Sequence, residues 1–150
     1  MLKATILTAS LSAFALPAFA DNHDHGDQMA MRTPAPEGAE VYLISPADGA
    51  TVSNPMTFRF GARGIGIAPA GIDASDTGHH HLLINVDPEE VDFSQSLPSD
   101  DRHRHFGGGQ TEATLELPAG THTFMLVMGD HFHIPHDPPI MSQPITVTVE

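Results

Sequence analysis

The sequence predicts an all-β protein, an antiparallel β-sandwich of the immunoglobulin or fibronectin type with long histidine-bearing loops. Short segments alternate apolar and polar residues with the period of two that buries one face of a strand. No segment shows the long 3.6-residue apolar period of a helix, and the 150 residues include 13 Gly and 13 Pro, which favour frequent turns. A folded length of roughly 110 residues fits such a sandwich, and a small barrel is the alternative.

The predicted strands follow one another at short intervals. The first ends at residues 46–49, Pro-Ala-Asp-Gly, which form a β-turn signal. Three connections reach or exceed the roughly 12–15 residues above which loops in compact domains are uncommon, and they are therefore expected to be functional or disordered. These connections are residues 61–78, 87–110 and 130–143. The predicted strands cover residues 41–45, 56–60, 79–86, 113–117, 122–128 and 145–149.

The first twenty residues are predicted to be a secretory signal peptide. Lys3 precedes an apolar run, Pro17 interrupts it, and residues 18–20, Ala-Phe-Ala, form a cleavage signal. The run is shorter than the about 20 apolar residues of a membrane-spanning helix, so we expect a periplasmic or secreted protein. Residues 21–39 are expected to be a disordered tail and linker containing His and Met, and residues 40–150 a single β-sandwich domain.

The composition excludes several kinds of site and partner. Because the chain has no cysteine, it has no disulfide, no thiolate nucleophile and no cysteine-ligated metal. A formal net charge of −13 at pH 7 disfavours nucleic acid, since the phosphates would be repelled. The 11 histidines are the outlier. Imidazole without thiolate suits Cu²⁺ or Zn²⁺, so one of these is the expected cofactor.

Most of the histidines form His-x-His pairs. In an extended strand, residues two apart point to the same face about 6.6 Å apart, and two such imidazoles can bind one metal ion at about 2.0–2.1 Å per bond. His80 and His122 lie in phase with apolar rows and are expected to be structural. The predicted metal ligands are His79, His81, His103, His105, His131, His133 and His136, with His23 and His25 as separate candidates in the tail.

The tail offers a second, separate way to bind copper. If the mature chain begins at Asp21, its amine, two peptide nitrogens and the imidazole of His23 can bind Cu²⁺ in a square plane. Met29 and Met31 add thioethers that suit Cu⁺.

Four sequence blocks carry a family resemblance. They are residues 44–52 (ISPADGATV), 77–84 (TGHHHLLI), 105–112 (HFGGGQTE) and 129–139 (GDHFHIPHDPP). The chain resembles, over about residues 40–150, the secreted bacterial proteins grouped as domain of unknown function 4399. The resemblance implies a single exported domain with a shared set of histidines. It implies no activity, and it does not include the tail.

Three functions remain open at this point. The first is a non-catalytic periplasmic metal-binding protein, a copper or zinc carrier or buffer. The second is a small metalloenzyme with three His ligands and an open position, for which Glu112 is the candidate general base. The third is an accessory sandwich that binds a protein or glycan and whose histidines are structural. The first is favoured, and no protein partner is identified. Convergence of the three His-x-His pairs in space would separate the first two functions from the third, and an open metal position beside a carboxylate would separate the enzyme from the carrier.

Overall fold

The computed structural model describes residues 32–150, which consist of strands, loops and one short 3₁₀ helix, Pro88–Glu90. The predicted signal peptide and the tail residues His23, His25, Met29 and Met31 lie outside this range. No helix within residues 32–150 is long and apolar enough to cross a membrane. The strands are β1 (Glu40–Ser45), β2 (Thr51–Val52), β3 (Met56–Arg63), β4 (Gly66–Ile67), β5 (Thr77–Ile84), β6 (His103–His105), β7 (Glu112–Leu115), β8 (Gly120–Gly129) and β9 (Ile145–Val149).

The strands form two sheets. One sheet has three strands in the order β1-β3-β7, and the other has the order β2-β9-β8-β5-β4, with β6 also paired to β5. The longer strands pair antiparallel, whereas the two-residue strands β2 and β4 pair with their neighbours in parallel. The predicted all-β, antiparallel sandwich is confirmed.

The main core fills the space between the two sheets. Phe58 and Phe60 of β3 point into it, and the ring of Phe58 packs against Phe124 of β8 with 4.8 Å between centroids. Burying each such side chain contributes about 1.5–3 kcal/mol. The fully buried members of this core include Phe58, Leu82, Phe124, Leu126, Met128 and Val147.

Strand β5 is buried on both faces, which is unusual for an antiparallel sheet. Its inner face carries His80, whose ring lies 5.2 Å from that of Phe60 across the core. Its outer face carries His79 and His81, and the same face continues into a second apolar cluster that includes Leu83. The alternation predicted for His79, His80 and His81 is therefore confirmed.

The alternation predicted for residues 79–86 fails at its end. With a period of two, Val86 would share the inner face with His80, but it packs against the outer cluster that includes Leu83. The cause is Asn85, whose φ of 54° is left-handed and ends the extended conformation.

The first described residues contact the loop between β8 and β9. Arg32 donates hydrogen bonds to the carbonyl oxygens of Pro135, at 3.1 Å, and of His136, and it pairs with the Asp137 carboxylate at 3.0 Å. Thr33 Oγ1 donates to Asp130 Oδ2 at 2.7 Å. Part of the segment that the sequence assigns to the linker is thus attached to the loop that carries His131, His133 and His136.

Candidate metal centre

Four imidazoles converge on the outer face of the larger sheet. One ring nitrogen from each of His79, His81, His105 and His133 lies within 4.8 Å of the other three. His79 Nε2 is 3.0 Å from His81 Nε2 and 3.1 Å from His133 Nδ1. His79 and His81 are buried, and His105 and His133 are half-buried. Converging imidazole nitrogens at this spacing form a set of donors suited to one metal ion.

Strands β5 and β6 supply three of the four rings. His79 and His81 are two residues apart on β5 and therefore share a face. The antiparallel register of β6 places His105 directly opposite His81, so its ring lies on the same face. The ring centroids of this trio are 4.8 Å apart for His79 and His81, and 5.0 Å apart for each of the two pairs with His105.

Two glycines leave room for these rings. Gly129 of β8 is the cross-strand neighbour of His79, and a Cβ atom at this position would lie 2.8 Å from His81 Nε2. A Cβ atom on Gly107 would lie 2.3 Å from Cε1 of His105. A larger residue at either position would collide with an imidazole of the cluster.

The fourth imidazole comes from the loop that follows β8, and Asp130 shapes that loop. The Asp130 carboxylate accepts hydrogen bonds from the backbone N–H groups of Phe132, at 2.9 Å, and Ile134, at 3.0 Å. The N–H of His133 donates to the Asp130 carbonyl at 2.9 Å. Within this turn His133 has a φ of 66°, a left-handed conformation uncommon for a residue other than glycine. The turn brings the His133 ring back over β5.

The buried rings of the cluster are neutral at neutral pH. Burial, and then the neighbouring His105 and His133, lower the pKa of His79 from 6.5 to about 4. Burial, and then the neighbouring imidazoles, lower the pKa of His81 to about 2. Burial and His133 also lower the pKa of His105. A metal ion binds the neutral form of imidazole, so these rings need not lose a proton to bind one.

The cluster makes few hydrogen bonds to the rest of the protein. Nδ1 of His79, Nδ1 of His81 and Nε2 of His105 are buried and have no hydrogen-bond partner among residues 32–150. Buried polar groups are normally hydrogen-bonded, and leaving them unpaired costs stability. The close contacts of His79 and His81 inside the cluster are made by Nε2, so an ion bound there would leave both Nδ1 atoms unpaired. Of these three nitrogens, Nε2 of His105 is the one that an ion in the cluster could satisfy.

His103 lies on the same strand as His105 but does not join the cluster. It precedes His105 by two residues on β6 and is therefore opposite Leu83 rather than His81. Its Nδ1 lies 2.9 Å from the carboxylate of Asp100, which occupies that ring nitrogen.

His131 and His136 belong to the same loop as His133 and also lie apart from the cluster. His131 Nδ1 lies 3.9 Å from the carboxylate of Asp73, and His136 is fully buried with Nδ1 3.4 Å from the Met128 carbonyl oxygen. Residues two apart share a face only where the chain is extended. This loop is not extended at His133, whose φ is 66°. Only one member of the pair therefore points toward β5.

His80 and His122, the two histidines expected to be structural, both make hydrogen bonds to other groups of the protein. His80 Nδ1 lies 3.2 Å from the carbonyl oxygen of Gln110 in the core. His122 is only partly buried, and it bonds to Asn85 at 2.9 Å and to the Pro118 carbonyl at 2.8 Å. His80 is thus a core residue, whereas His122 joins a turn to its neighbouring strand.

Glu112, the candidate general base, lies on β7 in the other sheet. It is exposed and forms a surface ion pair with Arg59 at 3.6 Å. It is not among the four residues that converge on the cluster.

Several residues that shape the site were not identified from the sequence as site residues. Gly107 follows His105 by two residues, and Gly129 precedes His131 by two residues. This closeness in sequence to predicted ligands is a signal that could have identified both glycines. Arg32 and Thr33 gave no such signal, since their partners are about a hundred positions away in the chain.

Comparison with known proteins identifies one family. A family model described as "Domain of unknown function (DUF4399)" matches residues 58–150, which include all four clustered histidines. The match confirms the resemblance for the three blocks at residues 77–84, 105–112 and 129–139, whereas the block at residues 44–52 lies outside the matched range. No curated protein and no solved structure matches the chain.

Proposed function

The chain belongs to the DUF4399 family of domains of unknown function, and we propose that it is an exported metal-binding protein, a copper or zinc carrier or buffer. The observation that carries this proposal is the convergence of His79, His81, His105 and His133 within 4.8 Å. Each of the three His-x-His pairs contributes to this set, although only the pair on β5 contributes both members.

The number of ligands favours binding over catalysis. A catalytic zinc site keeps one position open for water or substrate, whereas a structural site is closed by four protein ligands. Four imidazoles would occupy all four coordination positions of a four-coordinate ion. Glu112 forms an ion pair with Arg59 on the other sheet. The alternative of a small metalloenzyme therefore lacks both an open position and its candidate base.

The net charge of the chain and its N-terminal sequence support this proposal. The chain carries a formal net charge of −13 at pH 7, which attracts cations to its surface. Residues 1–20 have the pattern of a secretory signal, and we propose a periplasmic location on that basis. A carrier or buffer there would exchange metal through His105 and His133, the two half-buried rings.

The test is metal content and affinity of the exported chain. The full chain is produced in a Gram-negative host, purified from the periplasmic fraction and analysed by mass spectrometry for its N-terminus. Bound metal is measured by inductively coupled plasma mass spectrometry, and chelator-treated protein is titrated with Zn²⁺ and with Cu²⁺. We expect one tightly bound Zn²⁺ per chain, and Cu²⁺ is titrated into His23→Ala so that the predicted N-terminal copper site does not contribute.

Two double variants separate the cluster from the other histidines. His105→Ala/His133→Ala removes two cluster rings and is expected to abolish tight binding. His103→Ala/His131→Ala removes the other member of each pair, and it is expected to bind like the wild type. Equal binding by both variants, or no retained metal in the wild type, would refute the proposal.

A further inference from the structure

The separations between the four rings carry information about the shape of the site. When an ion binds imidazole at about 2.0–2.1 Å, the ring centroid lies about 3.2 Å from the ion. Four rings around a tetrahedral ion then have six equal centroid separations of about 5.2 Å. Around a square-planar ion, four separations are about 4.5 Å and two, between opposite rings, are about 6.4 Å.

The observed separations follow the tetrahedral pattern. The three between His79, His81 and His105 are 4.8, 5.0 and 5.0 Å, which is close to an equilateral triangle. His133 lies 4.6 Å from His105, 5.1 Å from His79 and 6.0 Å from His81. It therefore stands over the triangle as the fourth corner of a distorted tetrahedron.

A square arrangement fails on one specific pair. If His81 and His133, at 6.0 Å, were opposite corners of a square, then His79 and His105 would be the other two opposite corners. Their separation would have to be about 6.4 Å, but it is 5.0 Å. The two short nitrogen contacts, 3.0 and 3.1 Å, lie between the values for the two shapes and do not decide between them.

The fold explains why three of the rings come from strands and the fourth comes from a loop. Two adjacent strands present three rings on one surface, because His81 and His105 are cross-strand neighbours and His79 is two residues along. Within residues 32–150, no strand other than β5 and β6 contributes a ring to the cluster. The fourth ring has to come from above, and the turn fixed by Asp130 supplies it as His133.

From this geometry we infer that the cluster is a closed tetrahedral site for a closed-shell ion, whose shape fits Zn²⁺ better than Cu²⁺. Zn²⁺ has no geometric preference of its own and takes four tetrahedral nitrogen ligands readily, whereas Cu²⁺ favours square-planar or tetragonal surroundings. Cu⁺ shares the d¹⁰ configuration, but it is selected by sulfur ligands, and the four donors here are imidazoles. This inference rests on the proposed function, since it assumes that the cluster binds a metal ion.

Cobalt substitution tests the shape of the site. The full chain is freed of metal, loaded with one equivalent of Co²⁺, and its visible spectrum is recorded with and without azide. We expect the intense visible absorption of four-coordinate tetrahedral Co²⁺, unchanged by azide because no position is open. The His105→Ala variant is expected to change its spectrum with azide, and the His103→Ala variant to behave like the wild type.

Two further measurements identify the ion. Cu²⁺ is loaded into His23→Ala, which lacks the imidazole of the predicted square-planar N-terminal site, and we expect an electron paramagnetic resonance signal distorted toward tetrahedral rather than an ordinary tetragonal one. Zn²⁺-loaded protein is titrated with Cu⁺ under anaerobic, reducing conditions, and Zn²⁺ is expected to stay bound.

The outcomes distinguish this inference from the proposed function. A chain that retains no Co²⁺ or Zn²⁺ refutes the proposed function, and the inference with it. A chain that retains the ion but shows weak five- or six-coordinate absorption, or a spectrum that responds to azide in the wild type, refutes the tetrahedral closed site alone. An undistorted tetragonal Cu²⁺ signal from His23→Ala does the same. Displacement of Zn²⁺ by stoichiometric Cu⁺ refutes the assignment to zinc.

Discussion

His133 Nδ1 lies 3.1 Å from His79 Nε2, although the two residues are 54 positions apart in the sequence. The contact joins the loop after β8 to a strand in the interior of the larger sheet. An ion shared by these two rings would hold the loop closed over β5. Binding would therefore stabilise an arrangement that the metal-free chain maintains through the hydrogen bonds of Asp130 and the contacts of Arg32.

Metal binding is expected to raise thermal stability. An ion that binds only the folded chain adds about 2.7 kcal/mol at a free concentration one hundred times its Kd, which is several degrees in Tm for a domain of this size. Differential scanning calorimetry with Zn²⁺, and again after excess chelator, measures the effect. We expect a reversible increase in the wild type and in His103→Ala/His131→Ala. An equal increase in His105→Ala/His133→Ala would mean that Zn²⁺ stabilises the chain from another site.

Gly107→Ala is expected to weaken metal binding without unfolding the domain. The new Cβ would lie 2.3 Å from Cε1 of His105. That half-buried ring is the end of a flexible side chain and can move away from the cluster. The loss should exceed the about 10–100-fold typical of losing a partner that only orients a ligand, because a ligand itself is displaced.

The neighbouring glycine provides a matched control. The three atoms nearest to a Cβ on Gly108 all belong to the side chain of Gln110, at 3.1–3.3 Å, so Gly108→Ala is expected to keep wild-type affinity. Both variants are compared by Zn²⁺ titration and by circular dichroism. Equal affinities in the two variants, with both folded, would contradict the position assigned to His105.

Asp130→Ala tests the residue that positions His133. The carboxylate organises the turn through the N–H groups of Phe132 and Ile134, and it also acts on His79 as a nearby negative charge. Its removal is expected to lower Zn²⁺ affinity by about 10–100-fold, the range for groups that orient metal ligands. Asp130→Asn keeps one acceptor oxygen and should recover part of the loss.

A positioning role has a spectroscopic signature that a loss of stability alone would not produce. Co²⁺-loaded Asp130→Ala is expected to gain azide-dependent changes in its visible spectrum, because His133 no longer stays fixed at the fourth position. Asp137→Ala, which removes an exposed carboxylate of the same loop paired with Arg32, is the control and should not respond to azide. A wild-type spectrum in Asp130→Ala would show that the turn forms without the carboxylate.

The sequence was sufficient to predict the fold class and to predict that the site consists of histidines. It was not sufficient to show which of the histidines form the site. Period-two alternation identified the faces of β5, so that His79 and His81 could be separated from His80. The choice of His105 over His103 depends on the register between β5 and β6, which is a long-range property that alternation within one strand does not contain. The choice of His133 over His131 depends on a single left-handed residue in a turn held by Asp130.

The stability of the metal-free chain is expected to fall as the pH is lowered from about 6.5 to about 4. In the unfolded chain each histidine takes up a proton near its ordinary pKa of 6.5, whereas in the folded chain the pKa is lowered to about 4 for His79 and to about 2 for His81. Between these values the unfolded state binds more protons, so the free energy of unfolding rises with pH in this window. Each pH unit changes it by up to about 1.4 kcal/mol per histidine. Chemical denaturation of the metal-free protein at a series of pH values from 4 to 7.5 measures this slope.

The variant His79→Leu/His81→Leu isolates the contribution of the buried pair. Leucine has no titrating group, and at these positions it would extend the apolar cluster around Leu83 and Val127. The pH dependence of its unfolding free energy is therefore expected to be much flatter over the same range, while the variant stays folded. Below pH 6.5 it is expected to be more stable than the metal-free wild type, because neither position then carries an imidazole that has to stay unprotonated in the folded state. An unchanged slope in the variant would show that other groups cause the acid sensitivity, and that the two imidazoles are not held neutral by burial.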